Sequence, residues 1–230
     1  MSIGRSLLGL FGTVIVCAGG AKGQSVAVNL DPAQTQIHFT LGATMHTVHG
    51  TFRLKRGAME ISTATGSVQG AMVIDAASGD TGNASRDHKM HQDVLKSAEY
   101  PTIVFVPQKV DGRVSLDGPS QIAIQGMIQI MGEQHAVTIP AKTDIAQGKL
   151  SAALEFTIPY VQWGLKDPST FILRVDKSVK IEVQASGTVT TSRRSRARGE
   201  LRGSRSTESA ARIKASRSLA TGRVCGTAWG

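Results

Sequence analysis

Cysteine is nearly absent from this chain of 230 residues: there are two, Cys17 and Cys225. Cys17 falls in an amino-terminal stretch that reads as a leader, so the body of the chain has no pair to oxidise. An exported protein without an internal disulfide must be held together by its core. No thiolate or carboxylate recurs at metal-ligand spacing, which removes the sites built from them. The nucleophile elbow G-x-S-x-G is missing too. Ser85, Asp87 and His88 are neighbours in sequence, and neighbours do not make a triad. The apolar run from Leu7 to Ala18 is too short to span a bilayer comfortably.

Acidic side chains are scarce relative to basic ones, and the formal net charge is +9. The excess is local. From Thr190 onward, nine arginines and one lysine face only Glu200 and Glu208, a net of +8, which leaves residues 1–189 nearly neutral at +1. Basicity is therefore a property of the tail, and a nucleic-acid reading of the whole chain loses its basis. The tail is rich in Ser, Arg and Gly and poor in apolar residues. It cannot bury enough surface to offset its ordering entropy, so residues 190–230 are expected to be disordered. No specific nucleic-acid partner is expected. An anionic surface is the contact open to such a tail.

The opening "MSIGRSLLGLFGTVIVCAGGAKGQS" has the parts of a secretory signal. Arg5 supplies the positive start, Leu7 to Ala18 the apolar middle, and Ala21-Lys22-Gly23 the small residues a signal peptidase needs. A signal peptide over 1–23 is expected, with Gln24 as the first mature residue. The protein is then secreted. An uncleaved anchor is the alternative.

Between Gln34 and Val189 the apolar residues recur with period two. "QIAIQGMIQIMG" puts Ile122, Ile124, Ile128 and Ile130 on one face with Gly126, and Gln121, Gln125 and Gln129 on the other. "QTQIHFTLG", "GTFRLKRG", "SVQGAMVID", "HAVTIPAK", "KLSAALEFTIPY" and "SVKIEVQASGTV" behave alike. Strict alternation means one dry face and one wet face, the mark of antiparallel strands. About eight such runs with turn signals between them predict an all-β sandwich or an up-and-down barrel. Eight strands closed into a barrel enclose room for side chains or for one ligand. An apolar lining with small residues in it suits a hydrocarbon.

One segment breaks the pattern. "SRDHKMHQDVLKSA", residues 85–98, places Met90, Val94 and Leu95 at helical spacing after a Gly-Asn start that can cap a helix. Arg86 and Asp87 are expected to fix that start through a salt link and backbone hydrogen bonds. Tyr160 to Phe171 forms a second irregular stretch, in which Tyr160 and Trp163 can line a pocket mouth. His46/His49 and His88/His91 share an i, i+3 spacing. They keep open a metal-dependent or nucleophilic enzyme as the rival to a binding protein. Strand or loop histidines with no carboxylate recurring at ligand spacing are more often plain polar surface.

Several spaced motifs in one order resemble the YceI family of exported lipid-binding proteins. "TVHGTF" (47–52) is similar to the family's T-V-R-G-x-F, with His49 in place of Arg. "IDAASGDTGNASRDHKM" (74–90), "YPTIVF" (100–105) and Trp163-Gly164 followed by "RVDKSVKI" (174–181) follow in turn. Two departures concern polar positions. Gly42-Ala43-Thr44 stands where His-Leu-Gly is usual, and Lys89 stands where the family has His. The resemblance covers about Asp31 to Thr188. It implies an eight-stranded, antiparallel, lipocalin-like β-barrel over 24–189, with one short helix across an end and a long polyisoprenoid chain inside. It implies no cofactor and no catalysis. Inward residues from the alternating faces then become ligand-lining candidates: Phe39, Leu41, Phe52, Met72, Ile74, Phe105, Ile124, Ile128, Ile130, Leu154 and Phe156. Met90 and Val94 join them from the helix, and Tyr160 and Trp163 from the irregular stretch.

Overall fold

A computed structural model describes residues 24–44, 46–170 and 173–193. The expected signal peptide and nearly all of the basic tail lie outside the described residues. Nine antiparallel strands follow one another: β1 Gln24–Leu30, β2 Gln36–Leu41, β3 Val48–Ser62, β4 Val68–Asp80, β5 Thr102–Asp111, β6 Gly118–Ile130, β7 Glu133–Ala146, β8 Lys149–Ile158 and β9 Val179–Arg193. They close into a ring. β1 and β2 both lie between β3 and β9, β1 toward one end and β2 toward the other, and β3 also pairs with β4. β1 and β2 thus make one interrupted stave, and the barrel has eight. Closure leaves no free sheet edge along its length apart from local gaps in the ladders.

The alternating pattern survives folding with three shifts. Between Thr51, which faces Asp80, and Arg53, which faces Asp75, β4 carries three extra residues. In β3, Leu54 faces Ile74 and Arg56 faces Val73, so Lys55 is an extra residue. The inward set changes there from Phe52 and Leu54 to Gly57, Met59 and Ile61. In β5, Pro107 faces Gly126 and Lys109 faces Gln125, so Gln108 is the extra residue. Proline has no N–H to give a ladder, and a bulge tolerates it. β6 itself stays in register, and its isoleucines all face inward. Two-residue turns join β6 to β7 at Met131-Gly132 and β7 to β8 at Gln147-Gly148. All four residues have positive φ, the mirror-image turn that matches the twist of paired strands.

Two strands were read differently from sequence. β1 lies upstream of the alternation read there, although Val26, Val28 and Leu30 follow the same rule. β9 runs past Val189 to Arg193, where Thr190, Thr191 and Ser192 pair with Ala27, Val26 and Ser25. These residues are polar, but threonine is β-branched and suits a strand.

One group of buried side chains lies toward the β1 end. Val26, Val28, Leu30, Ile145, Ala185 and Val189 are buried together there. Toward the β2 end the ring of Phe39 lies across Gly50, its direct partner on β3. A methyl group at Gly50 would press on that ring and sit 2.7 Å from the Asp80 carbonyl oxygen. Gly50→Ala should therefore cost about 1–3 kcal/mol. The urea midpoint is expected to fall with an unchanged slope, and an unchanged midpoint would mean that the ring moves aside freely.

Candidate functional site

At the β2 end, the described parts of three connections converge: residues 42–44 and 46–47, the β4–β5 connection, and residues 159–170 and 173–178. The β4–β5 connection carries the helix read from sequence. It comprises α1, Ala84–Lys89, followed by a π-helical turn over Met90–Val94. The Asn83 side chain accepts a hydrogen bond from the Arg86 N–H and caps α1. Arg86 and Asp87 do fix the start, but not by pairing with each other. Thr81 stands between them. Arg86 Nε donates to the Thr81 hydroxyl at 2.8 Å, and that hydroxyl donates to the Asp87 carboxylate. The Thr81 N–H donates to the same carboxylate at 2.9 Å. A side chain that both gives and takes a hydrogen bond satisfies both ions at once, which a direct pair would not do for the Thr81 backbone.

The other two connections are stitched together. The Thr44 N–H donates to the Arg174 carbonyl and the Asp176 N–H to the Gly42 carbonyl. Leu95, Ile130, Tyr160 and Leu165 are buried in one cluster here, with Leu41, Met90, Val94, Ile158, Trp163 and Val179 packed against them. The cover is thus an apolar layer facing the barrel interior. Phe52, Ile103, Ile158 and Trp163 belong both to this layer and to the interior. Among the described residues no helix is long and apolar enough to cross a membrane.

Tyr160 anchors the cover rather than opening it. Its ring is 5 % exposed, and its hydroxyl donates to the Asp176 carbonyl at 2.8 Å. Burial, with the charges of Asp167 and Asp176 behind it, pushes the phenol up to about 12. The neutral form is the one the fold stabilises. That contribution is complete below pH 10 and disappears as the pH rises from 10 through 12. Tyr160→Phe should flatten this alkaline loss, by about 1–2 kcal/mol in melts followed between those pH values. An identical alkaline limb in the variant would assign the loss elsewhere.

The inward residues are of two kinds. Ile37, Phe39, Leu54, Met72, Phe105, Ile128, Ile139, Ile145 and Val183 are buried. On β8, however, Leu150, Ala152, Leu154, Phe156 and Ile158 alternate with exposed residues, all but Ala153 polar, and every one of them is only half-buried. Leu41, Phe52, Ile74, Ile103, Ile124, Val137, Val179 and Ile181 share that state. The register turns these apolar side chains inward, yet solvent reaches them. One cause is visible in the ladder. β7 and β8 are paired only from Ala141/Leu154 to Ala146/Lys149. Beyond that point the two strands part, and Pro140 sits at the parting. Trp163, on the chain beyond β8, meets β7 there. Its ring stacks on His135 with centroids 4.3 Å apart and planes 2° from parallel.

Every lining candidate read from sequence falls in the interior or in the cover. Phe39 packs on Phe52, with ring centroids 5.3 Å apart. Met72, Ile74, Phe105, Ile124, Ile128, Leu154 and Phe156 belong to the interior cluster, and Leu41, Met90, Val94, Ile130 and Tyr160 to the cover. The histidines of the rival reading scatter. His46, His49 and His88 are exposed. His91 is tied at both nitrogens, to the Gly79 carbonyl at 2.9 Å and to Ser97 Oγ at 3.2 Å. Among the described residues no three metal-ligating side chains come together. His135 was not picked out, although its place in "HAVTIPAK" shares the face of Val137 and Ile139. Two concavities of about 390 and 400 Å³ lie around Lys142 and Ala153; outward polar residues line them together with inward ones, Thr143 in the first and Ile122, Leu154 and Val183 in the second.

A closed antiparallel barrel of eight staves with an apolar interior and one short helix across an end is a lipocalin-like fold. The profile of the YceI-like domain matches residues 29–187, and the chain belongs to that family. No curated protein matches it at a significant level. Three solved structures share the fold. BcnA of Burkholderia cenocepacia is 17 % identical with a TM-score of 0.57, over 69 % of this chain and 99 % of its own. A polyisoprenoid binding domain from Saccharophagus degradans, implicated in plant cell wall breakdown, is 14 % identical with a TM-score of 0.54, over 71 % and 98 %. The Campylobacter jejuni YceI protein is 19 % identical with a TM-score of 0.52, over 63 % and 86 %.

Proposed function

We propose that this protein is a secreted, periplasmic binding protein that holds one long apolar chain, a polyisoprenoid or a related lipid, inside the barrel beneath the cover. Its mechanism is burial, and no reaction is assigned to it. The observation that carries the reading is the inward row of β8, whose apolar side chains remain within reach of solvent. Apolar surface left in water costs roughly 25 cal/mol per Å², and each CH₂ of a ligand buried against it is worth roughly 0.8 kcal/mol. A chain of many carbons therefore binds with little help from its headgroup. The Saccharophagus degradans neighbour, whose ligand class is polyisoprenoid, supports the chemistry. The leader read over 1–23 supports export.

The test is chemical. Full-length protein is purified without detergent, extracted with organic solvent, and the extract is analysed by mass spectrometry. A long-chain lipid at near-stoichiometric amount is expected. An extract free of lipid, from a protein that shows no saturable uptake of a polyprenyl or long-chain probe, would sink the proposal.

A further inference from the structure

The strand register sorts the interior by chemistry. Between the rims, the inward positions of the nine strands include no lysine, arginine, aspartate or glutamate. Apart from Thr191, which is exposed, three polar side chains interrupt the apolar lining: Ser120, Thr143 and His135. Ser120 is engaged, because its Oγ accepts from the Ser115 N–H at 2.8 Å. Thr143 Oγ1 and His135 Nε2 are buried with no hydrogen-bond partner among the described residues. Thr143 lies eight residues further along β7, about 26 Å at strand spacing, toward the β1 end. His135 lies under the cover. It faces Ile128 across β6, two positions in from the rim at Glu133, and its ring plane is held by Trp163.

A buried nitrogen without a partner costs free energy that a ligand can restore. The stack on Trp163 holds the plane of the imidazole ring. A neutral imidazole nitrogen offers one donor or one acceptor. A hydroxyl answers either form and a carbonyl answers the N–H form. A phosphate would carry its charge into a lining with no cation to meet it.

We propose that His135 recognises the polar end of the ligand, and that this end is an uncharged oxygen function, a hydroxyl or a carbonyl, rather than a phosphate. This rests on the barrel reading above and adds to it the headgroup class and its position beneath the cover. The ligand chain then runs from His135 along the half-buried row of β8.

The experiment compares three probes of one carbon skeleton: geranylgeraniol, its phosphate monoester, and the hydrocarbon lacking the oxygen. Binding is read from Trp163 fluorescence in a Trp229→Phe background. The alcohol should bind about tenfold more tightly than the hydrocarbon, the size expected of one hydrogen bond, and no more weakly than the phosphate. His135→Phe keeps a ring for the stack and removes the nitrogen. It should weaken the alcohol about tenfold and leave the hydrocarbon unchanged. Tighter binding of the phosphate, or a variant that alters alcohol and hydrocarbon equally, overturns the assignment while leaving the barrel reading intact. If the variant does not fold, the order of alcohol and phosphate in the unaltered barrel still decides. Failure of all three probes to bind would remove the barrel reading and this inference together.

Discussion

Ile128→Arg is expected to abolish folding. Ile128 is 4 % exposed, in the middle of the inward row of β6, with Phe105 opposite on β5 and His135 opposite on β7. No carboxylate faces it from either strand. An unpaired guanidinium buried there costs several kcal/mol, and the packing of the isoleucine is lost in addition. A domain of this size has about 5–15 kcal/mol to lose. The variant should be insoluble, or should melt well over 10 °C lower by the usual scaling of stability with size. Ile128→Ala isolates the packing part and should cost about 2–5 kcal/mol. Circular dichroism melts on both variants check the pair. An arginine variant with the melting temperature of the unaltered protein would show that water, not packing, surrounds this position.

Phe156→Arg should separate folding from binding. Phe156 also faces inward, opposite Ile181 on β9, but it is half-buried and lies beyond the point where β7 and β8 part. A long side chain at such a place can lay its stem along apolar surface and carry its charge to water. The fold should survive with a melting temperature within a few degrees of the original. Uptake of a long-chain probe should fall by tenfold or more, because the charge lies in the path of the ligand chain and repels it at about 1.4 kcal/mol per factor of ten. A folded variant with undiminished uptake would move the ligand away from β8.

Much of the barrel could be read from period two because the inside and the outside of the wall differ so sharply. Ile122 to Ile130 on β6 and Leu150 to Ile158 on β8 place a large apolar residue or a small one at every second position, with only Ala123, Met127 and Ala153 apolar on the other face, and the structure turns the regular row of both inward. The helix was legible for the opposite reason: Met90, Val94 and Leu95 break the period, and Asn83 supplies the cap. What escaped depends on the partner strand. An extra residue at Lys55 can be recognised only when β4 is set beside β3. The parting of β7 from β8 leaves no signal except Pro140. Thr81 was missed because its role depends on three groups converging, whereas sequence shows only that Arg86 and Asp87 are adjacent. His135 was passed over for a related reason. The paired histidines drew attention through their spacing, while a single histidine on an apolar face matters only through what it lacks, and that is a property of the folded interior.

The stave shared by β1 and β2 has a kinetic meaning. The first described strand runs beside the last, with Gln24 opposite Arg193. In a chain made from its amino terminus, β9 comes last, and the ring cannot close before it arrives. Until then, the apolar faces of the earlier strands stay open to water and to one another. Pairings between residues so far apart in sequence are slow to form and leave a chain exposed to aggregation. A lipid that meets the nascent wall in that interval need not thread through the cover at all. It can be wrapped as the ring shuts, which would make the order in which the strands emerge and pair, rather than the width of any opening, the thing that decides when the cargo is taken on.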